Sequence, residues 1–217
     1  MSSGKVASWA HGEEFVDETT LFSDDGVLAR ARERGNELGA TPVLPGAGAL
    51  MRVLAAAVHA RSAVEIGTGS GVGSLYLLSG MHPDGVLTTI DLELENQRAA
   101  REAFAEAGIR SPRVRTIAGR PRDVIGRLTD HAYDLVSFPA HAPHALDLLE
   151  HGRRLLRPGG VLVIPHALYH DRVADPAARD ATTQAVRALL KAISESEDLV
   201  AVLTGSGDGV LAAVLRT

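Results

Sequence analysis

A chain of 217 residues, 45% hydrophobic and 23% charged, can bury one substantial core. With no cysteine it excludes a disulfide framework, thiolate zinc sites and a cysteine nucleophile, and a net charge of −5 argues against a general nucleic-acid binder. No run approaches the ~20 apolar residues of a membrane span, and residues 1–10 lack the apolar region of a signal peptide, so a soluble cytoplasmic protein without nucleic-acid or membrane partners is expected.

In chain order, residues 1–44 read as an arm and helix of the same domain as the body, residues 45–217. Ser23, Asp24 and Asp25 form an N-cap with acid in the first turn of a charged helix that reaches Leu38. Before it, Trp9, Phe15 and Phe22 are widely spaced in a polar stretch, which suits an arm packed on a partner subunit or over a substrate cleft. An apolar helix over residues 45–59 leads into a short apolar strand, 63–67, ending in glycine. Strands and helices then alternate: strand 86–91, helix 95–107 closed by Gly108, strand 114–118 and a short helix 121–128. Strand 133–138, helix 143–156, strand 160–164 and helix 176–194 continue the pattern. Strands 199–204 and 210–215, joined across Asp208-Gly209, read as a β-hairpin. Several strands are apolar throughout, as strands covered on both faces are. The prediction is an α/β fold with a doubly wound, mostly parallel seven-stranded sheet and an antiparallel last strand. Six arginines between residues 110 and 127 read as a solvated rim, with recognition of an anionic substrate as the alternative.

The turn Glu65-Ile66-Gly67-Thr68-Gly69-Ser70-Gly71-Val72-Gly73-Ser74 joins the first strand to a helix. Closely spaced glycines let a ligand approach the backbone, and a helix start offers free N–H groups. Dinucleotide enzymes place a third glycine three residues after the second; Val72 stands there, which counts against an NAD(P)-dependent oxidoreductase. Asp91 ends the second strand, where a carboxylate can accept both hydroxyls of a ribose. A carboxylate at Glu65 suits a ligand with an ammonium group better than one with a pyrophosphate.

Five further segments accompany this turn in order: Gly85-Val86-Leu87-Thr88-Thr89-Ile90-Asp91, Ala105-Glu106-Ala107-Gly108-Ile109, Tyr133-Asp134-Leu135-Val136, Leu155-Leu156-Arg157-Pro158-Gly159-Gly160 and Gly207-Asp208-Gly209-Val210-Leu211. Together they resemble the class I methyltransferases that use S-adenosyl-L-methionine, and more specifically the small O-methyltransferases of the catechol and caffeoyl-CoA type. The resemblance runs from Thr41 onward. It implies a Rossmann-like fold with an N-terminal helical extension, S-adenosylmethionine as cofactor, methylation of a small hydroxylated acceptor, phenols included, and a homodimer. By it Glu65, Gly67, Thr68 and Gly71 line the methionine end of the cofactor, Asp91 with Leu92 beside it holds the ribose, and Val43 closes over it. The family's serine two residues after Gly71 is here Gly73, with Ser74 next, so both are candidates. The adenine segment, Gly-Asp-Ala in the family, reads Gly119-Arg120-Pro121, which leaves Arg120 as a candidate contact and removes a backbone N–H.

The resemblance also shows what this chain lacks. Metal-dependent members bind a divalent cation through Asp-Ala-Asp-Lys after the fourth strand and Asp-Asn after the fifth. Such a cation draws two catechol oxygens together and acidifies the attacking one. The corresponding stretches are Pro139-Ala140-His141-Ala142 and Pro165-His166, so no metal is expected at that site. Three readings follow. In the first, a histidine is the general base of a metal-free methyltransferase, with His141 and His166 as the main candidates and His144 as a third. In the second, His141, His144, His166 and His170 hold a softer cation. In the third, the chain binds cofactor without catalysing.

Overall fold

The computed structural model describes Phe15 and residues 26–217. All seven expected strands form: β1 (Ser62–Ile66), β2 (Val86–Asp91), β3 (Val114–Ala118), β4 (Tyr133–Ser137), β5 (Leu156–Pro165), β6 (Leu199–Thr204) and β7 (Val210–Leu215). They make one sheet in the order β3-β2-β1-β4-β5-β7-β6. β7 runs antiparallel to both neighbours, and the other pairings are parallel. The expected hairpin is therefore present, with its second strand inserted between β5 and β6.

Among the described residues the helices are α1 (Val27–Glu37), α2 (Pro45–Ala57), α3 (Val72–Gly80), α4 (Leu94–Glu106), α5 (Pro121–Ile125), α6 (Ala145–Leu155) and α7 (Ala181–Ser194). They cover both faces of the sheet, and this explains the strands without polar alternation. Ala63, Val161 and Val163 point into a core shared with Met51, Leu75 and Phe104 of α2, α3 and α4. Their strand neighbours Val64, Leu162 and Ile164 point the other way, against Leu148, Leu149 and Val186 of α6 and α7.

Of the boundaries that differ from expectation, three have a clear local reason. α6 starts at Ala145 because His144 takes a left-handed conformation (φ 60°) and serves as its N-cap. α7 starts at Ala181 rather than at 176 because Asp180 is its N-cap, its carboxylate accepting the Thr183 N–H at 2.9 Å. β5 begins at Leu156 and runs through Pro158-Gly159, with its register against β4 shifting between Tyr133 and Leu135. Phe15 is exposed; Trp9, Phe22 and the expected cap at residues 23–25 lie outside the described residues.

The chain builds β1, β2 and β3 outward and then returns to place β4 on the other side of β1. At such a reversal the flanking helices diverge and open a crevice at the carboxyl ends of the strands.

Candidate active site

A cleft of about 260 Å³ occupies that crevice. Residues 39–43, between α1 and α2, form one wall, and the glycine turn after β1 forms the floor. Asp91 and Asn96 close the β2 side, and Ser137, Pro139, His141, Pro165 and His166 close the side of β4 and β5.

Register places Glu65 beside Thr89 of β2 and Ser137 of β4. Its Oε2 accepts hydrogen bonds from the hydroxyls of Ser74 and of Thr89, the latter at 2.7 Å, and Thr89 in turn contacts the Thr68 hydroxyl at 2.8 Å. Burial dominates and pushes the Glu65 carboxyl up to about 7; the two hydroxyls pull it down and the Asp91 charge adds to the rise. The other oxygen, Oε1, lies against Gly73, where a Cβ would come within 2.7 Å. Gly73 is thus the space into which Glu65 extends. Ser74 is fully buried and positions Glu65 from behind, so the residue next to the expected serine faces away from the cleft.

Asp91 is nearly as buried. Its Oδ2 accepts the Gly69 N–H at 2.8 Å and its Oδ1 the Glu93 N–H at 2.9 Å, with the Asn96 amide 3.4 Å from both oxygens. A carboxylate has about four acceptor positions, which leaves room for a diol. Ser70 borders the cleft, but its Oγ is buried without a hydrogen-bond partner against Gly35 of α1, where a Cβ would come within 2.5 Å of it. An ammonium acceptor and a diol acceptor along one cleft fit an amino acid joined to a ribose.

Val43, Glu65, Gly67, Thr68, Gly73 and Asp91 all line this cleft. Gly71 borders it only through its neighbours: it has φ 91°, and a Cβ there would lie 3.1 Å from Ala100 and Phe104 of α4, so it sets the close packing of two helices. Leu92 is exposed just past Asp91, and Arg120 is exposed as the N-cap of α5; neither is part of the cleft wall. Sequence reasoning passed over Ser70, Asn96 and Ser137, which carry no pattern beyond their place at strand and turn ends.

His141 and His166 meet at the cleft rim, their rings 5.3 Å apart in an edge-to-face arrangement. His166 is buried with its Nδ1 3.3 Å from Asp208 Oδ2. Asp208 opposes its own burial with hydrogen bonds from His166 and from the His170 N–H, which hold its carboxyl below the usual carboxylate range. Burial, and then the neighbouring charges of His166 and His170 against the opposing pull of Asp208, push His141 down to about 4. Its Nδ1 is buried without a hydrogen-bond partner. His144 is exposed outside the cleft lining, 3.9 Å from Asp147, and the His170 ring is exposed as well.

The four histidines therefore do not pair by their sequence spacing on a helix face; both pairs lie on loops, and it is the cross-pair that meets. Among the described residues no group of three or more His, Asp or Glu side chains is arranged to hold a metal ion. Pro139 and Pro165 stand at the strand ends and offer no side-chain oxygen, so the residues present do not fit a magnesium or calcium ion.

Residues 27–216 match the family model described as O-methyltransferase. A Mycobacterium tuberculosis protein named "Probable O-methyltransferase" is 49% identical over 206 residues, covering 95% of this chain and 89% of its own length. The chain belongs to the O-methyltransferase family. Membership makes it a methyltransferase dependent on S-adenosylmethionine and leaves the nicotinamide alternative without support. A Corynebacterium glutamicum protein of known structure shares 33% identity at a TM-score of 0.86, covering 97% of this chain and 98% of that one. The Streptomyces achromogenes O-methyltransferase TomG, involved in tomaymycin synthesis and solved in complex with S-adenosylmethionine, shares 26% identity at a TM-score of 0.85, and each chain is fully covered.

Proposed function

We propose that this O-methyltransferase methylates a small hydroxylated acceptor, phenols included, without a divalent cation, and that a histidine takes the acceptor's proton. One observation carries this reading: where a cation would be held at the ends of β4 and β5, the cleft presents Pro139, Pro165 and the paired rings of His141 and His166. Bound S-adenosylmethionine supplies a methyl group activated by its positively charged sulfur. Glu65 would then receive the ammonium and Asp91 the ribose hydroxyls. Gly67, Thr68, Gly73 and Val43 shape the walls around them. Methyl transfer to oxygen is an in-line displacement, so holding donor and acceptor in line supplies most of the rate.

Calorimetry with S-adenosylhomocysteine, followed by methyl transfer to catechol and to phenol with and without EDTA, tests the proposal. Binding, and turnover indifferent to EDTA, are expected. No binding at millimolar product overturns the cofactor site, and turnover lost to EDTA and restored by magnesium overturns the metal-free reading. A homodimer is also proposed, supported by the uncovered apolar side chains Val200, Val202 and Leu203 on edge strand β6; light scattering should give twice the chain mass.

A further inference from the structure

The hairpin that ends the sheet does more than close it. Its turn carries Asp208 to the segment after β5, and two backbone bonds lock them together: Ala167 N–H to the Gly209 carbonyl at 3.0 Å and Leu168 N–H to the Asp208 carbonyl at 2.9 Å. The Asp208 side chain is 10% exposed and splits its carboxylate between two partners, Oδ1 accepting the His170 N–H at 2.6 Å and Oδ2 facing His166 Nδ1. His166 adopts φ 59°, a conformation uncommon outside glycine, and these bonds hold it there with its ring 5% exposed at the cleft. Backbone strain of this kind persists where the surroundings over-determine it.

We propose that Asp208 and His166 form a catalytic dyad, in which Asp208 fixes the tautomer of His166 and His166 Nε2 takes the proton of the acceptor hydroxyl. This rests on the metal-free reading above. An ionised carboxylate only accepts, so His166 Nδ1 must be the donor, and in the neutral ring the free lone pair then sits on Nε2. Asp208 and His141 face His166, and the His170 Nδ1 lies 3.8 Å from the same Asp208 oxygen. His141 is held neutral well below pH 7, chiefly by its burial, so it does not compete for the proton. In the transfer step the acceptor O–H bond breaks, its proton passes to Nε2, and its electron pair forms the new O–CH3 bond. The pair of the breaking S–CH3 bond stays on sulfur, leaving a neutral thioether, and the imidazolium then releases its proton to water. Because no cation must bridge two adjacent oxygens, one hydroxyl suffices, and monohydroxy phenols enter the acceptor class beside catechols.

Long-range 1H–15N spectra of the protein labelled at histidine report the tautomer in the resting enzyme, independently of turnover. The expected result is a His166 protonated at Nδ1 in the wild type and a mixed or inverted tautomer in Asp208→Asn. With the faster of catechol and phenol as acceptor, Asp208→Asn and His166→Asn should lower kcat by about 10²–10⁴-fold while S-adenosylhomocysteine affinity stays within about twofold. Asparagine tolerates the left-handed backbone at position 166, and retained product affinity reports a folded cleft. A wild-type His166 protonated at Nε2, or an Asp208→Asn variant turning over within about threefold of wild type, overturns the dyad and leaves the methyltransferase reading in place. If a variant loses product binding through misfolding, the wild-type tautomer alone decides. Failure of the wild type to bind product at all, by contrast, defeats the cofactor site and not the dyad geometry.

Discussion

In the proposed role of Glu65 as acceptor of the ammonium, cofactor binding is tied to pH. The Glu65 carboxyl is raised to about 7 by burial, yet an ammonium partner needs it ionised. Affinity for S-adenosylhomocysteine should therefore rise with pH by up to about tenfold per unit below 7 and level off above it. Calorimetry at pH 6 in buffers of different ionisation enthalpy should show close to one proton released on binding, and Glu65→Gln should remove both effects while weakening binding. The same group bears on folding. Its folded value lies above the ordinary 4.5, so its stabilising contribution is complete below about 4.5 and is lost as pH rises through about 7, on the order of 3 kcal/mol. Glu65 and Asp91 were legible in the sequence because strand ends and glycine spacing are local signals. Asp208 was legible only as a turn residue. Its partner His166 lies 42 residues away, and the insertion of β7 beside β5 is what joins them. Ser74 shows the same limit in a single step: its neighbourhood was readable, but the side of the helix it faces was decided by Glu65 and the buried packing behind it.

Between elements, the contact of α2 with α3 decides how the cleft floor is supported. Gly48 of α2 lies on the ring of Tyr76, where a Cβ would come within 2.1 Å of Cε2, and Tyr76 is itself fully buried. Glycine is there for space, since the ring fills the volume a methyl would need. Gly48→Ala should lower stability by about 1–3 kcal/mol through overpacking, and thermal unfolding followed by circular dichroism should show a fall in Tm of several degrees. Element type followed from local patterns: apolar runs between turn residues for the strands, caps and glycine stops for α4. Boundaries failed where a side chain intervened. The start of α7 belongs to Asp180 and its bond to Thr183, and residues 165–180 carry four left-handed backbones that no propensity foretells. Of the expected arginine rim, Arg113 instead donates to the carbonyls of Leu78 and His82, pinning the end of α3 to the turn before β2.

At the scale of the whole molecule, the cleft proposed to hold the cofactor draws its walls from residues 39 to 166, so a ligand there would couple most of the chain. S-adenosylhomocysteine at one hundred times its Kd should add about 2.7 kcal/mol of stability and raise Tm by about 5–10 °C. A shift near zero at that concentration, measured by differential scanning fluorimetry, would show that binding is confined to a loose local segment. Fold class and strand count were determined by the sequence alone, as was the place of the glycine turn and of the carboxylates Glu65 and Asp91 at the ends of β1 and β2. Short apolar runs between turn residues, glycine spacing and a carboxylate at a strand end are all set by neighbours within a few residues. The tertiary structure alone decided that His141 meets His166 rather than His144, that Ser74 supports Glu65 from behind, and that Asp208 reaches His166. Those contacts depend on which strand lies beside which, and strand order is fixed by the burial of two cores at once rather than by any local signal.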